Sequence, residues 1–229
     1  MKDALELWDS FLIAFSALLP LINPLGSALV FLGLVGDAPA GAYRVLARKI
    51  AINNVIFLVI IGLLGSTILH FFGISLHIVQ VAGGLVIVAM GWAVLNEADP
   101  APVARDKTAG IQVGPDASLN VLQQKAFYPF TFPITSGPGT LVVMFTLATR
   151  GEGGGLALNM LRHAGLFLAV VVLSVLVWVC YANAPRLTRA VPPATAHGIL
   201  RVVAFILMCI GVQIAWNGIA ALLMTVLHP

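Results

Sequence analysis

Uncharged apolar runs alternate with short polar connectors along nearly the whole chain. Residues 11–35, 50–69, 78–95, 126–149, 164–184 and 202–227 each reach about the 18 to 20 apolar residues that carry a helix across bilayer hydrocarbon. The pattern predicts an all-α polytopic membrane protein of six transmembrane helices. Two of the six runs are interrupted by helix breakers.

The first interruption reads Pro20-Leu21-Ile22-Asn23-Pro24-Leu25-Gly26-Ser27. Proline has no amide for the helical ladder and drives the residue before it out of the α region, so one half-helix should end near Ile22. Asn23 suits the N-cap of the next half and Pro24 its first position. The fourth run carries the same punctuation in Pro133-Ile134-Thr135-Ser136-Gly137-Pro138-Gly139-Thr140. These read as one device used twice.

The spacing of the two breakers divides the chain into halves. Asn23-Pro24-Leu25-Gly26-Ser27 through Phe31 parallels Gly137-Pro138-Gly139-Thr140 through Phe145, and each is followed by two further spans. In span three Gly84 and Gly91 are seven apart and share a face; their counterparts in span six are Ala204 and Gly211, or neighbours one residue away. Three crossings per half make the second copy enter from the opposite side. The expected architecture is therefore two inverted three-helix repeats with discontinuous first and fourth helices. Residues 1–96 form the first repeat, 97–124 a cytoplasmic linker and 125–229 the second repeat, within a single membrane domain.

Composition agrees and removes alternatives. Sixty per cent of residues are apolar and 9% charged, against about 25% charged in soluble domains, and the mean hydropathy is +1.02. The net charge of +3 is better read as topology than as nucleic-acid affinity. Arg44, Arg48, Lys49, Arg105, Lys107, Lys125, Arg186, Arg189 and Arg201 flank the connectors after spans one, three and five, whereas Lys2, Arg150 and Arg162 lie on the other side. That bias puts the first set in the cytoplasm and both termini outside, in a multi-pass inner-membrane protein. The N-terminus is acidic and its apolar stretch outlasts a signal-peptide core, so it is expected to be retained.

Candidate chemistry is confined to the breakers. A broken span leaves amides at one half-helix start and carbonyls at the other's end, which persist in a membrane only where protein, water or a ligand satisfies them. The amide end carries about half a positive charge and the carbonyl end half a negative one, which suits a zwitterion. The expected substrate-binding residues are Asn23, Pro24, Leu25, Gly26 and Ser27 with Ser136, Gly137, Pro138, Gly139 and Thr140. The amides of Leu25, Gly26, Ser27, Gly139 and Thr140 are the foremost donors. Asn53 and Asn54 join them, because two adjacent amide side chains cannot both face lipid cheaply.

No Asp, Glu, Lys or His lies mid-span, so a buried carboxylate relay is absent from the sequence. Na⁺ held by freed carbonyls with Asn23, Asn53, Thr135 or Ser136 would serve as a coupling ion, with H⁺ the other choice. Cys180 and Cys209 sit inside spans, and the five histidines and four tryptophans cluster near span ends as interfacial residues. No hydrolase, metalloprotease or nucleotide-binding motif is present. The reading is of a protein that is not an enzyme and needs no cofactor or metal.

The N-P-L-G of Asn23 to Gly26, the downstream Phe31-Leu32, the G-P-G of Gly137 to Gly139 and Gly83-Gly84 together resemble the MarC family, which includes the small neutral amino acid transporter SnatA. The likeness runs from span one to span six. It implies an inner-membrane protein with inverted repeats that moves small neutral amino acids such as glycine and alanine through alternating access, with Asn23, Pro24, Gly26, Gly137, Pro138 and Gly139 at the motif positions. Gln80 and Ala204 depart from the arginine and glycine expected there. The alternatives are an exporter of another small metabolite or drug-like solute, a channel, or a non-transporting membrane scaffold.

Overall fold

The computed structural model describes residues 2–36, 38–96, 119–149, 155–190 and 193–227. Most of the linker, 97–118, lies outside the described residues, as do Arg150, the glycines at 151, 153 and 154, Pro192 and His228. Among the described residues every regular element is helical. Five helical stretches are long and apolar enough to cross a membrane, and a pair of elements bent by 73° makes a sixth candidate when the two are counted as one span.

Helix α1 (Lys2–Ile22) runs through Pro20 and meets α2 (Pro24–Val35) at a single residue, Asn23. Its φ of 41° makes it the one non-glycine residue with a left-handed backbone among those described, and asparagine bears that conformation better than most residues. Pro24 has no amide to give the Pro20 carbonyl, so the ladder lapses where the two prolines are four apart. Together α1 and α2 still make one apolar span over Ala4–Val35.

Helix α3 (Ala40–Phe71) starts ten residues before the apolar run that predicts it. Arg44, Arg48 and Lys49 are exposed on its first turns, where long stems carry the charges to the headgroups, so a charged stretch continues the helix. The same reason extends α7 (Leu156–Ala182) upstream past Arg162 and His163. The short α5 (Leu119–Gln124) precedes a wide irregular turn (Ala126–Thr135) and then α6 (Pro138–Thr149). Helix α8 (Ala184–Ala190) leads to α9 (Pro193–Leu227).

Helix α4 (Leu76–Leu95) and α9 lie antiparallel at close range. A Cβ added to Gly84 would lie 2.6 Å from the Gly211 carbonyl oxygen, one on Gly91 2.8 Å from that of Ala204, and one on Gly218 2.6 Å from that of His77. The contacts recur every seven residues on both helices, so a single small stripe sets the register. Ala204 keeps its place in that stripe despite its methyl group.

The other helices enclose a core in which Phe31, Phe130, Leu173 and Tyr181 are fully buried. Gly165 admits the α1 backbone so closely that a Cβ there would sit 2.5 Å from the Leu7 carbonyl oxygen. Both breakers border this core.

Candidate functional site

Asn23 is hydrogen-bonded through its amide, its side-chain oxygen and its carbonyl. Its amide donates to the Leu19 carbonyl at 2.9 Å, its Oδ1 accepts the Gly26 amide at 3.2 Å, and its carbonyl accepts both the amide and the hydroxyl of Ser27, each at 2.9 Å. The side chain thus caps α2 as the sequence predicts. Two of the expected donors, the amides of Gly26 and Ser27, are engaged by that cap. Pro24 and Ser27 are buried, whereas Leu25 is exposed. A Cβ on Gly26 would stand 2.3 Å from Asn23 Nδ2 and 2.8 Å from Leu200 Cδ2, so only glycine lets the cap and α9 close over the break.

The second breaker is built differently. Its sequence repeats aromatic-Pro-apolar-Thr, first at Tyr128-Pro129-Phe130-Thr131 and again at Phe132-Pro133-Ile134-Thr135. Tyr128 and Phe132 are extended, as residues before proline prefer, and the following peptides are cis. Each threonine hydroxyl reaches five residues back, Thr131 to the Ala126 carbonyl at 2.8 Å and Thr135 to that of Phe130 at 2.7 Å. The hydroxyls thus act as side-chain donors to backbone carbonyls in a segment where two prolines withhold amide donors. The disruption therefore begins at Tyr128, upstream of the predicted Pro133–Thr140 stretch, and ends in the bend that starts α6. There the Gly137 carbonyl accepts the Thr140 amide at 3.0 Å, occupying another expected donor.

The two breakers meet. A Cβ on Gly139 would lie 2.9 Å from Leu21 Cδ2 at the end of α1 and 2.8 Å from Ile87 Cγ1 of α4. Ser136 donates its hydroxyl to Asn54 Oδ1 at 2.6 Å, and Asn54 Nδ2 donates to Ser174 Oγ at 3.0 Å, all three residues being buried. Asn54 thereby ties the second breaker to α7. Asn53 is half-buried on a different face of α3, Pro138 is exposed, and the glycines at 137 and 139 are buried.

Tyr181 links both breakers. Its phenol bonds to Thr135 Oγ1 at 2.8 Å, and the Ser27 side chain interacts with it from α2. Its ring stacks on Phe31 with centroids 4.4 Å apart, and Phe31 meets the edges of Phe130 and Tyr43 at 5.5 and 6.0 Å. Tyr43 in turn donates to the Gly36 carbonyl, fastening the end of α2. Sequence reasoning treats span five as plain and misses both Ser174 and Tyr181. Their spacing of seven, which puts the two on one face of a helix, was the available signal.

One atom in this region stands apart. Thr140 is 1% exposed, and among the described residues its Oγ1 has no hydrogen-bond partner. A buried hydroxyl without a partner costs about 1–3 kcal/mol. Thr140 lies one residue beyond the Gly139 contact that joins the two breakers. Among the described residues no cluster of His, Cys, Asp or Glu could hold a metal ion.

The helices, their length and the broken segments define a polytopic integral membrane protein whose polar interior is gathered at helix breaks. Comparison makes the assignment specific: a model of the MarC family of integral membrane proteins matches residues 8–223, and the chain belongs to that family. It is 28% identical over 227 residues to the inner membrane protein MarC of Salmonella typhimurium, covering 96% of this chain and 99% of that one. The inner membrane protein MarC of Escherichia coli O1:K1 is 26% identical over 224 residues with the same coverage. No solved structure matches the chain. The inner membrane is the location named for these relatives, and the apolar helices of this chain suit it.

Proposed function

We propose that the protein is a secondary transporter of small neutral amino acids of the glycine and alanine type, as in the SnatA branch of its family. Solute binds where the two breakers meet. The observation that carries this reading is the buried, unpartnered Thr140 hydroxyl beside the Gly139–Leu21 contact. Such a group is costly unless something hydrogen-bonds to it in part of the working cycle. A small solute held by backbone dipoles and one hydroxyl matches an interior without mid-span charges.

Inverted symmetry is part of the proposal. Exchanging Gly84 with Ala204 and Gly91 with Gly211 turns the Gly84–Gly211 contact into the Gly91–Ala204 contact, so the register maps onto itself. The same offset of 120 exchanges Asn54 with Ser174, which are hydrogen-bonded to each other. Both pairs fall where an inverted repeat would place its axis, and they favour the alignment one residue away from the Gln80–Arg201 pairing. With the termini outside, the aromatic group around Phe31 and Tyr181 closes the cytoplasmic half. Alternating access would then part α2 from α7 on that side. Na⁺ and H⁺ are the coupling ions to test.

The test is uptake of radiolabelled glycine and alanine into proteoliposomes, with Na⁺ and proton gradients imposed separately. Gradient-driven or exchange flux is the expected result. Absence of flux for every small amino acid would overturn the reading.

A further inference from the structure

Away from the breakers, a cavity of about 290 Å³ opens between the first half of α1, the end of α6 and the start of α7. Its wall carries Glu6, Asp9 and Arg162, and its floor is apolar, formed by residues that include the buried Ala14 and Leu166. In a chain with 9% charged residues, three charges of both signs on one small cavity are unusual. Glu6, Asp9 and Ile13 follow one face of α1 at three- and four-residue steps. The tight Gly165 crossing packs the adjoining Leu7, Ser10 and Phe11 face of α1 on α7, three residues from Arg162.

We infer that this cavity is an antechamber that binds the α-amino zwitterion on the outer side before it reaches the breakers. The inference rests on the transport reading above. Arg162 takes the carboxylate, because a guanidinium presents a planar fork to which two carboxylate oxygens bond at once. Asp9 takes the ammonium, and the apolar floor receives a small side chain. Glu6 meets Arg162 through Nε at 3.7 Å, the long end of an ion pair, with the two side chains 43% and 35% exposed. So loose a contact leaves the guanidinium open to solution. The pair is worth little on its own, which makes exchange for a ligand carboxylate inexpensive.

Position supports a role in transport. The cavity is lined by the two helices that end at the breakers: Ala14 stands nine residues before Asn23 on α1, and Leu147 eight after Gly139 on α6. At about 1.5 Å per residue both routes are on the order of 12–14 Å long. A solute released from Arg162 and Asp9 thus descends between the same two helices that flank the site below.

The experiment measures alanine uptake in proteoliposomes of known orientation, adding substrate separately from the outer and the cytoplasmic side. It compares Arg162→Gln, Arg162→Lys and Asp9→Asn with the unmodified protein. Arg162→Gln should raise the outer half-saturation concentration about tenfold and leave the cytoplasmic one unchanged, with Arg162→Lys in between. Inhibition by alaninamide, which lacks the carboxylate, should not change in Arg162→Gln, and inhibition by lactate, which lacks the ammonium, should not change in Asp9→Asn. Equal half-saturation from both sides in all variants, with flux intact, would overturn the antechamber alone. Equal weakening from both sides would assign Arg162 and Asp9 a structural role and also overturn it. Absence of flux in the unmodified protein would overturn the transport reading and this inference with it.

Discussion

Gly84 and Gly211 face each other across the α4–α9 crossing so closely that a Cβ on Gly84 would stand 2.6 Å from the Gly211 oxygen, and one on Gly211 2.8 Å from the Gly84 oxygen. Both neighbours are backbone atoms, which cannot turn aside as a side chain can. Gly84→Ala and Gly211→Ala should each cost about 1–3 kcal/mol through forced separation of the helices. Gly33→Ala, where nothing lies within 4 Å, should be neutral or slightly stabilising. Thermal unfolding in detergent reads the difference, and equal melting temperatures for the three variants would contradict the crossing.

Asn54 offers a test of coupling. It accepts from Ser136 and donates to Ser174, so removing any one of the three strands polar atoms on the others. Asn54→Ala should cost about 1–3 kcal/mol, and Ser174→Ala somewhat less. The double variant should fall short of the sum by about 0.5 kcal/mol or more, because both changes delete the same bond. Strict additivity in denaturation midpoints would mean that the bond contributes nothing.

Much of this architecture is legible in the sequence, and the limits have physical causes. Apolar runs locate the spans because lipid tolerates little else, and Asn23-Pro24 marks its own helix boundary through local chemistry. The helix ends are less legible, since Arg44, Arg48 and Arg162 lie on helices that apolar runs alone would start later. The second breaker reads short because the cause lies in Tyr128-Pro129, where the aromatic-Pro repeat begins, rather than in the Gly-Pro-Gly that catches the eye. Amide donors predicted from dipoles alone prove partly occupied, because Asn23 satisfies Gly26 and Ser27 locally. The spacing of seven puts Ser174 and Tyr181 on one face, but their partners lie 120 and 46 positions away, so the pattern marks the face and not what it bonds to.

The aromatic group supplies a built-in reporter. Cys180 is 6% exposed next to Tyr181, and Cys209, the other cysteine, is exposed. In a Cys209→Ala background Cys180 is the single thiol. Phe31→Ala removes the ring stacked on Tyr181 and should cost about 3–5 kcal/mol. It should also raise maleimide labelling of Cys180 several-fold. Tyr181→Phe keeps the ring and loses only hydroxyl contacts, about 1 kcal/mol, since Thr135 retains the Phe130 carbonyl. Labelling that is the same in Phe31→Ala and the parent would remove Phe31 from the closure.

Glycine is required at the two breakers for different reasons, and alanine should separate them. At Gly26 a methyl would collide with the Asn23 side chain at 2.3 Å and break the cap, at a cost of about 0.5–2 kcal/mol. At Gly139 the atoms in the way are the ends of Leu21 and Ile87, which can rotate, so Gly139→Ala should keep its melting temperature more nearly. Valine at either position should abolish glycine uptake while leaving protein that elutes as a single species. Full uptake by both valine variants would remove the breakers from the solute path.

Thr140 gives the sharpest separation of stability from function. Most polar-to-apolar changes at a buried site sacrifice a hydrogen bond, but Thr140 Oγ1 has none to sacrifice among the described residues. Thr140→Val preserves the branched shape and deletes only the costly hydroxyl, so the resting protein should be as stable as the parent, or more stable by about 1 kcal/mol. If the hydroxyl meets solute during the cycle, the same variant should lose affinity for glycine, with about a tenfold rise in half-saturation for a bond worth 1.4 kcal/mol. Thr140→Ser restores the hydroxyl and should recover most of the affinity. Stability and uptake falling together in Thr140→Val would show that the hydroxyl has a structural partner and would leave the breaker site without its principal support.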